Sequence, residues 1–211
     1  MKTLGIIPAR RGSKRIPEKN TKDFCGTPLI EHTIKIALRS KIDHIVVTTN
    51  DDKVKEICSR YNVDVYTRPE ELCTDEAPSL PVVLDILPKY PSYDTGVFLQ
   101  PTSPLRTTEH INKAIGLMGG GDSVISVKRA DFKNFWLRRI DGGFLERYCH
   151  DITKIYVLNG AVYVFETKNI STESWGHRTI PYVMSTRDSI DIDTDIDFKL
   201  AEMLWRENET R

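Results

Sequence analysis

The stretch TLGIIPARRGSKRIPEKN, from Thr3 to Asn20, decides the fold. Its opening run, Thr3 to Pro8, is short and apolar and reads as a buried strand, and the residues after it form a basic loop made irregular by Pro8 and Pro17. A strand feeding such a loop is the opening unit of an open α/β sheet, in which ligands bind beyond the carboxyl ends of the strands. Working outward, further strands are expected over residues 44–48, 63–66, 96–99 and 123–127. Between them, Leu29, Ile30, Thr33, Ile34, Ala37 and Leu38 recur at helical spacing. A helix over 51–61 opens on the paired acids Asp51 and Asp52, which suit a helix N-terminus, and helices over 80–87 and 107–118 complete the set.

Strand and helix therefore alternate through about residue 127, and then the pattern changes. Residues 136–140, a turn at Asp141-Gly142-Gly143, residues 144–148 and residues 161–165 read as antiparallel pieces. A last helix is expected over 194–208, with Phe198, Ala201, Met203, Leu204 and Trp205 on its buried side. The reading is one three-layer α/β domain over 1–211, with a β section at about 128–165 that covers a site or forms a dimer contact.

The chain has 211 residues, 39% of them hydrophobic, enough for a full core without staples. Thirty Lys and Arg against thirty Asp and Glu leave no net charge, which excludes a nucleic-acid binder that relies on a broadly basic surface. The distribution is uneven, however. Residues 1–22 hold seven bases against Glu18 alone, while residues 185–211 hold eight acids against four bases. A basic loop and an acidic segment in one domain suit a polyphosphate and its divalent cation; a solvated surface is the plain alternative. Cys25, Cys58, Cys73 and Cys149 form no metal-spaced pair and read as reduced cysteines. No stretch approaches the ~18 apolar residues of a membrane span, and the apolar run after Lys2 is too short for a signal peptide. A cytoplasmic location without membrane contact is expected.

The loop is neither a Walker loop nor a dinucleotide loop, since the required glycine spacings are missing. Gly12 and Ser13 offer backbone and hydroxyl donors, while Arg10, Lys14 and Lys19 offer charge to a triphosphate. Asp191 and Asp193 alternate about Ile192, so an extended backbone turns both carboxylates to one side, where they can hold a hard cation such as magnesium. Asp195 and Asp197 are expected to face solvent or to stabilise the start of the last helix.

Five segments, IIPARRGSKRIPEKN (6–20), TRPEELCTDEAPS (67–79), LQPTSPLR (99–106), NGAVY (159–163) and SIDIDTDID (189–197), follow one another along nearly the whole chain. In this order they resemble the N-acylneuraminate cytidylyltransferase family, enzymes that activate sialic acids and related sugar acids with CTP. The resemblance implies a three-layer nucleotidyltransferase fold with a mainly parallel, Rossmann-like sheet and a small antiparallel β section. It implies transfer of CMP from CTP to the anomeric hydroxyl of a nonulosonic acid, with release of pyrophosphate, Mg2+ as cofactor and a homodimer as the assembly. By resemblance Arg10, Ser13 and Lys19 contact the phosphates, with Asn20 near the ribose or base, while Arg68, Ala77 and Ser79 read cytosine and ribose. Gln100, Asn159 and Tyr163 are expected on the sugar acid, and Asp191 and Asp193 on the metal. Arg10, Lys19 and Asp193 are the expected catalytic residues; the proton of the attacking hydroxyl goes to Asp193, to metal-bound water or to a phosphate oxygen.

The chain departs from the family pattern in places. Arg11 and Arg15 stand where glycine is common, and Val157 and Leu158 stand where an arginine often precedes NGAVY. The acceptor's carboxylate would then be met by the metal, by Lys128 or Arg129, or by a partner subunit. Activation of an eight-carbon Kdo-type acid and a catalytically silent nucleotide-binding module are the rival readings.

Overall fold

The structure, a computed structural model, describes residues 2–74, 77–130, 138–141, 144–147 and 155–209. Its strands are β1 (Thr3–Pro8), β2 (Asp23–Phe24), β3 (Thr27–Pro28), β4 (His44–Thr49), β5 (Asp64–Thr67), β6 (Thr95–Phe98), β7 (Ser123–Arg129), β8 (Arg138–Asp141), β9 (Phe144–Arg147), β10 (Tyr156–Glu166) and β11 (Thr179–Val183). Its helices are α1 (Leu29–Leu38), α2 (Asp52–Cys58), α3 (Ser79–Ile86), α4 (Thr108–Gly116) and α5 (Asp195–Glu209).

Seven strands form the main sheet in the order β11-β7-β10-β6-β1-β4-β5. β1 lies parallel to both β4 and β6, β4 is parallel to β5, and β11 is parallel to β7. β10 alone runs antiparallel, paired to β6 on one side and β7 on the other. The chain leaves β1 toward β4 and β5 but returns to its other flank for β6, so the sheet reverses direction beside β1. That reversal opens a crevice at the carboxyl ends of β1 and β6.

Alternation along each strand divides the core between the two faces of the sheet. Ile7, Val47 and Val164 pack with Ile34 of α1, Val54 of α2 and Ile111 of α4. On the opposite face Leu4, Ile6, Val46 and Phe98 pack with Val82, Val83 and Ile86 of α3. Ile6 and Ile7 are both fully buried, each contributing ~1.5–3 kcal/mol of apolar transfer to the three-layer arrangement. A smaller cluster of Ile16, Phe24, Leu29, Ile192, Phe198 and Ala201 seats α5 against the first loop and α1.

The structure departs from the sequence reading in three ways. The piece expected over 161–165 belongs to an eleven-residue strand in the interior of the main sheet, not to an appended section. β11 was not expected, because TIPYV alternates exposed residues with partly buried ones and carries Pro181, the composition of a sheet edge. Met203 is 63% exposed and lies on the outer side of α5, while Phe198 and Ala201 are buried as expected. β8 and β9 pair antiparallel from Arg138↔Arg147 to Asp141↔Phe144. Trp136, Gly142, Gly143, Tyr148 and Cys149 lie outside the described residues. Among the described residues no helix is long and apolar enough to cross a membrane.

Candidate active site

The crevice beside β1 holds a cleft of about 240 Å³ lined by Pro8, Arg10, Ser13, Lys19, Asn20, Arg68, Ala77, Ser79, Phe98, Gln100, Pro101, Thr102, Asp191 and Asp193. It opens into a second basin of about 350 Å³ along the first loop, where Arg10, Ser13, Lys14, Arg15 and Lys19 gather. Ten residues singled out in the sequence thus come together from four of the five quoted segments. Asn159 and Tyr163 do not join them.

The first loop is held open by its own backbone. Gly12 adopts φ +86°, a left-handed conformation that suits glycine, and Arg10 Nη1 donates to the carbonyls of Arg11 at 3.2 Å and Gly12 at 3.1 Å. Asn20 is buried and donates from Nδ2 to the Arg10 carbonyl at 3.1 Å, so its amide fixes the loop as well as facing the cleft. The Arg11 N–H bonds Asn50 Oδ1 at 2.8 Å, tying the loop to the end of β4.

Lys19 crosses from this loop to the acidic segment. Its Nζ donates to the Ile192 carbonyl at 2.7 Å and lies 3.7 Å from Asp193, which Arg15 also approaches at 3.3 Å. Burial pulls the Lys19 ammonium below the usual lysine value, with Asp193 and Asp191 opposing the shift. Ile192 explains why the two carboxylates point the same way: its side chain is fully buried beside Ile16, Phe24 and Phe198. Asp191 and Asp193, one residue to either side, are turned into the cleft. Thr102 holds this segment, since its carbonyl accepts the Ile192 N–H at 2.8 Å and its hydroxyl bonds the Asp191 carboxyl. Asp191 is open to the cleft yet surrounded by protein. Burial lifts its carboxyl above the usual carboxylate range, and the charge of Asp193 adds to the rise.

At the far side, Arg68 is 7% exposed, and burial lowers its pKa from the ordinary arginine value. Its Nε has no hydrogen-bond partner among the described residues, although the side chain lines the cleft. A buried guanidinium facing a cleft without an internal acceptor is suited to an acceptor brought by a ligand. Ala77 and Ser79 also line the cleft, and α3 begins at Ser79, so the positive end of that helix lies at its wall.

Asn159 is 3% exposed, and its amide is occupied inside the protein. Its Oδ1 accepts from Ser126 Oγ and from the Ala161 N–H, while its Nδ2 donates to Ser189 Oγ at 2.8 Å. The Asn159 amide thus joins β7, β10 and the segment before Asp191, and it is not part of the cleft lining. Tyr163 is likewise interior, at 8% exposed, with its ring against Phe98 and edge-on to Trp175. Of the expected acceptor trio Gln100 lines the cleft, while Tyr163 lies behind Phe98, where burial first and the Asp191 charge second raise its phenol pKa.

Residues 4–129, more than half of the chain, match the cytidylyltransferase family. The chain belongs to that family. This cytidylyltransferase is 38% identical, over 99% of its length, to the CMP-N,N'-diacetyllegionaminic acid synthase of Legionella pneumophila subsp. pneumophila, 98% of which it covers. It is 33% identical, over 95% of its length, to the N-acylneuraminate cytidylyltransferase of Escherichia coli O18:K1:H7, and spans 51% of that relative. Among solved structures, the CMP:2-keto-3-deoxy-manno-octonic acid synthetase complexed with CTP matches with a TM-score of 0.73 at 16% identity, over 99% of this chain and 100% of that one. At that identity the likeness is one of fold.

Sequence reasoning missed several parts of the cytidylyltransferase site. Thr102, Pro8, Phe98 and Pro101 all line the cleft. Thr102 lies in the LQPTSPLR segment two residues after Gln100, in the turn that follows β6, and its place in that segment was the available signal.

Proposed function

We propose that the enzyme transfers CMP from CTP to the anomeric hydroxyl of a nonulosonic acid and releases pyrophosphate. One observation carries the nucleotide half: the buried, unpartnered Arg68 Nε shares a single cleft with a basic loop on one side and an aspartate pair on another. Arg68 can donate to the ring nitrogen and carbonyl of cytosine, while Arg10, Ser13 and Lys19 surround the place for the phosphates. The order of strands gives a direction, with base toward β5, phosphates over the end of β1 and acceptor toward β6 and β10. Both relatives named above carry nonulosonic acid names, which supports that class of acceptor.

The aspartate pair fits magnesium. Two carboxylates on one cleft wall, one of them raised in pKa by burial and by the other's charge, are relieved by a divalent cation, and magnesium commonly takes one or two carboxylates plus substrate phosphates. Asp191 and Asp193 would hold it, and when bound it would neutralise phosphate charge. The remaining steps belong to the chain. Lys19 and Arg10 meet the charge that builds on the departing pyrophosphate, Gln100 orients the acceptor, and the cleft aligns the hydroxyl for in-line attack on the α-phosphorus.

On this reading the enzyme works in the cytoplasm as a homodimer. Cys58 and Cys73 are free thiols, in keeping with a reducing compartment. Tyr156, Val157 and Leu158 of β10 and Val183 of β11, the two strands that flank β7, are all more than 40% exposed, apolar surface that suits a second copy. The test is pyrophosphate release from CTP and magnesium with a panel of nine- and eight-carbon sugar acids. A nonulosonic acid is the expected best substrate; a clear preference for an eight-carbon acid overturns the acceptor assignment and leaves the cytidylyl chemistry standing.

A further inference from the structure

Arg106 closes the LQPTSPLR segment, yet its side chain reaches neither cleft nor solvent. It is 1% exposed and lies just ahead of Thr107, the residue that caps α4, at the positive end of that helix. Among the described residues no carboxylate pairs with it, and the acceptors of its hydrogen bonds are neutral. Burial pulls its pKa down to about 9, so the guanidinium still carries its proton at neutral pH. A buried charge held at the positive end of a helix with no counter-charge is unfavourable on its own account, so its value lies in what it joins.

Nη1 donates to the backbone carbonyl of Gln100 at 3.1 Å and to that of Ala161, and Nη2 donates to Thr33 Oγ1 of α1 at 2.8 Å. The Ala161 carbonyl falls where the sheet is irregular: the register of β10 against β7 shifts between Leu158 and Tyr163, and pairing to β6 runs from Tyr163 onward. Just before it, Gly160 packs against the side-chain amide of Gln100. Gln100 lines the cleft on the side of β6 and β10.

We propose that Arg106 is the positioning residue of the acceptor end: its rigid fork locks the Gln100 peptide to the irregular turn of β10, and so sets affinity for the sugar acid without touching either substrate. A lysine, with one flexible ammonium, cannot hold two carbonyls and a hydroxyl in one plane. The inference rests on the assignment of the Gln100 side as the acceptor half.

The experiment compares Michaelis constants for the sugar acid and for CTP in the parent, Arg106→Lys and Thr33→Val, with the melting temperature of each as a check on folding. Arg106→Lys is expected to raise the sugar-acid constant about tenfold or more while the CTP constant stays within about twofold. Thr33→Val, which removes one acceptor with little change of shape, should move the sugar constant the same way by about threefold, and it decides the matter if Arg106→Lys does not fold. Equal rises in both constants, or no change in either, overturn the positioning role alone. A parent enzyme inert toward every sugar acid overturns the acceptor assignment and this inference together.

Discussion

A methyl group placed on Gly160 would lie 2.3 Å from Gln100 Oε1, so the backbone of β10 and the amide of Gln100 occupy one shared space. Gly160 also has φ +71°, in the region that costs an L-residue ~1–2 kcal/mol. Gly160→Ala should therefore lose about 1–3 kcal/mol of stability and push the Gln100 amide out of place, raising the sugar-acid constant more than that for CTP. Denaturant melts and paired kinetics check this, and an unchanged sugar-acid constant in a folded variant counts against Gln100 as an acceptor contact.

Asp191→Asn should separate stability from activity. Burial first, then the neighbouring Asp193 charge, raise the native pKa of Asp191 above its unfolded value, so this group favours the folded state below the unfolded value, and that benefit is lost as pH rises through the raised native value. With magnesium removed by chelation at neutral pH, the asparagine variant is expected to melt above the parent, and the gap should close as pH falls into the ordinary carboxylate range. Turnover should drop by ~100-fold or more, because a ligand charge is lost. A variant that melts below the parent contradicts the electrostatic account.

Arg15 and Asp193 lie 3.3 Å apart with side chains 68% and 50% exposed, so their pairing adds little to stability. It does place a cation of the protein where a divalent cation would go. Arg15→Ala should leave the melting temperature nearly unchanged and lower the magnesium concentration for half-maximal activity by about 1.5–5-fold, the equivalent of a ~0.2–1 kcal/mol competition. High salt should shrink the difference. Magnesium titrations at two ionic strengths measure it, and an Arg15→Ala enzyme that needs more magnesium reverses the assignment.

Asp197 does more than face solvent. Its Oδ2 accepts the Thr194 N–H at 2.7 Å and the Asp193 N–H at 3.2 Å, while the Thr194 hydroxyl accepts the Asp197 N–H at 3.3 Å. This reciprocal cap starts α5 and holds the end of the acidic segment. Its carboxyl is lowered in pKa, chiefly by the Thr194 hydroxyl. The stabilisation it gives is thus present above the unfolded carboxylate value and is lost as pH falls through the lower native value. Asp197→Ala should cost ~1 kcal/mol of stability and a partial loss of rate, smaller than that of Asp191→Asn. Loss of rate as large as at Asp191, in a folded variant, would mark Asp197 as a metal ligand.

What could be read from the sequence was local chemistry. β1 and the loop after it, α1 with its apolar spacing, and the Asp191 and Asp193 pair about Ile192 each lie within one short segment whose pattern carries its own meaning. The surroundings of Asn159 and Tyr163 could not be read because their partners are distant in sequence: Ser126 and Ser189 take up the Asn159 amide, and Trp175 covers the Tyr163 ring. Nothing in NGAVY says that its polar group is spoken for. β10 escaped full recognition for a related reason, since its exposed start and irregular middle break any simple alternation.

The position of β10 also orders the birth of the protein. β6, β1, β4 and β5 are complete once residue 98 has been made, and they already form a contiguous hydrogen-bonded ribbon. β7 comes next at 123–129, but its neighbours in the sheet are β10 and β11, both still to be synthesised. During translation the nucleotide half can therefore assemble early, while β7 waits as an unpaired apolar strand until residue 166 supplies the missing rung. A fragment cut after β7 would hold most of the CTP loop yet carry that open edge, and aggregation rather than a small stable domain is its physical fate.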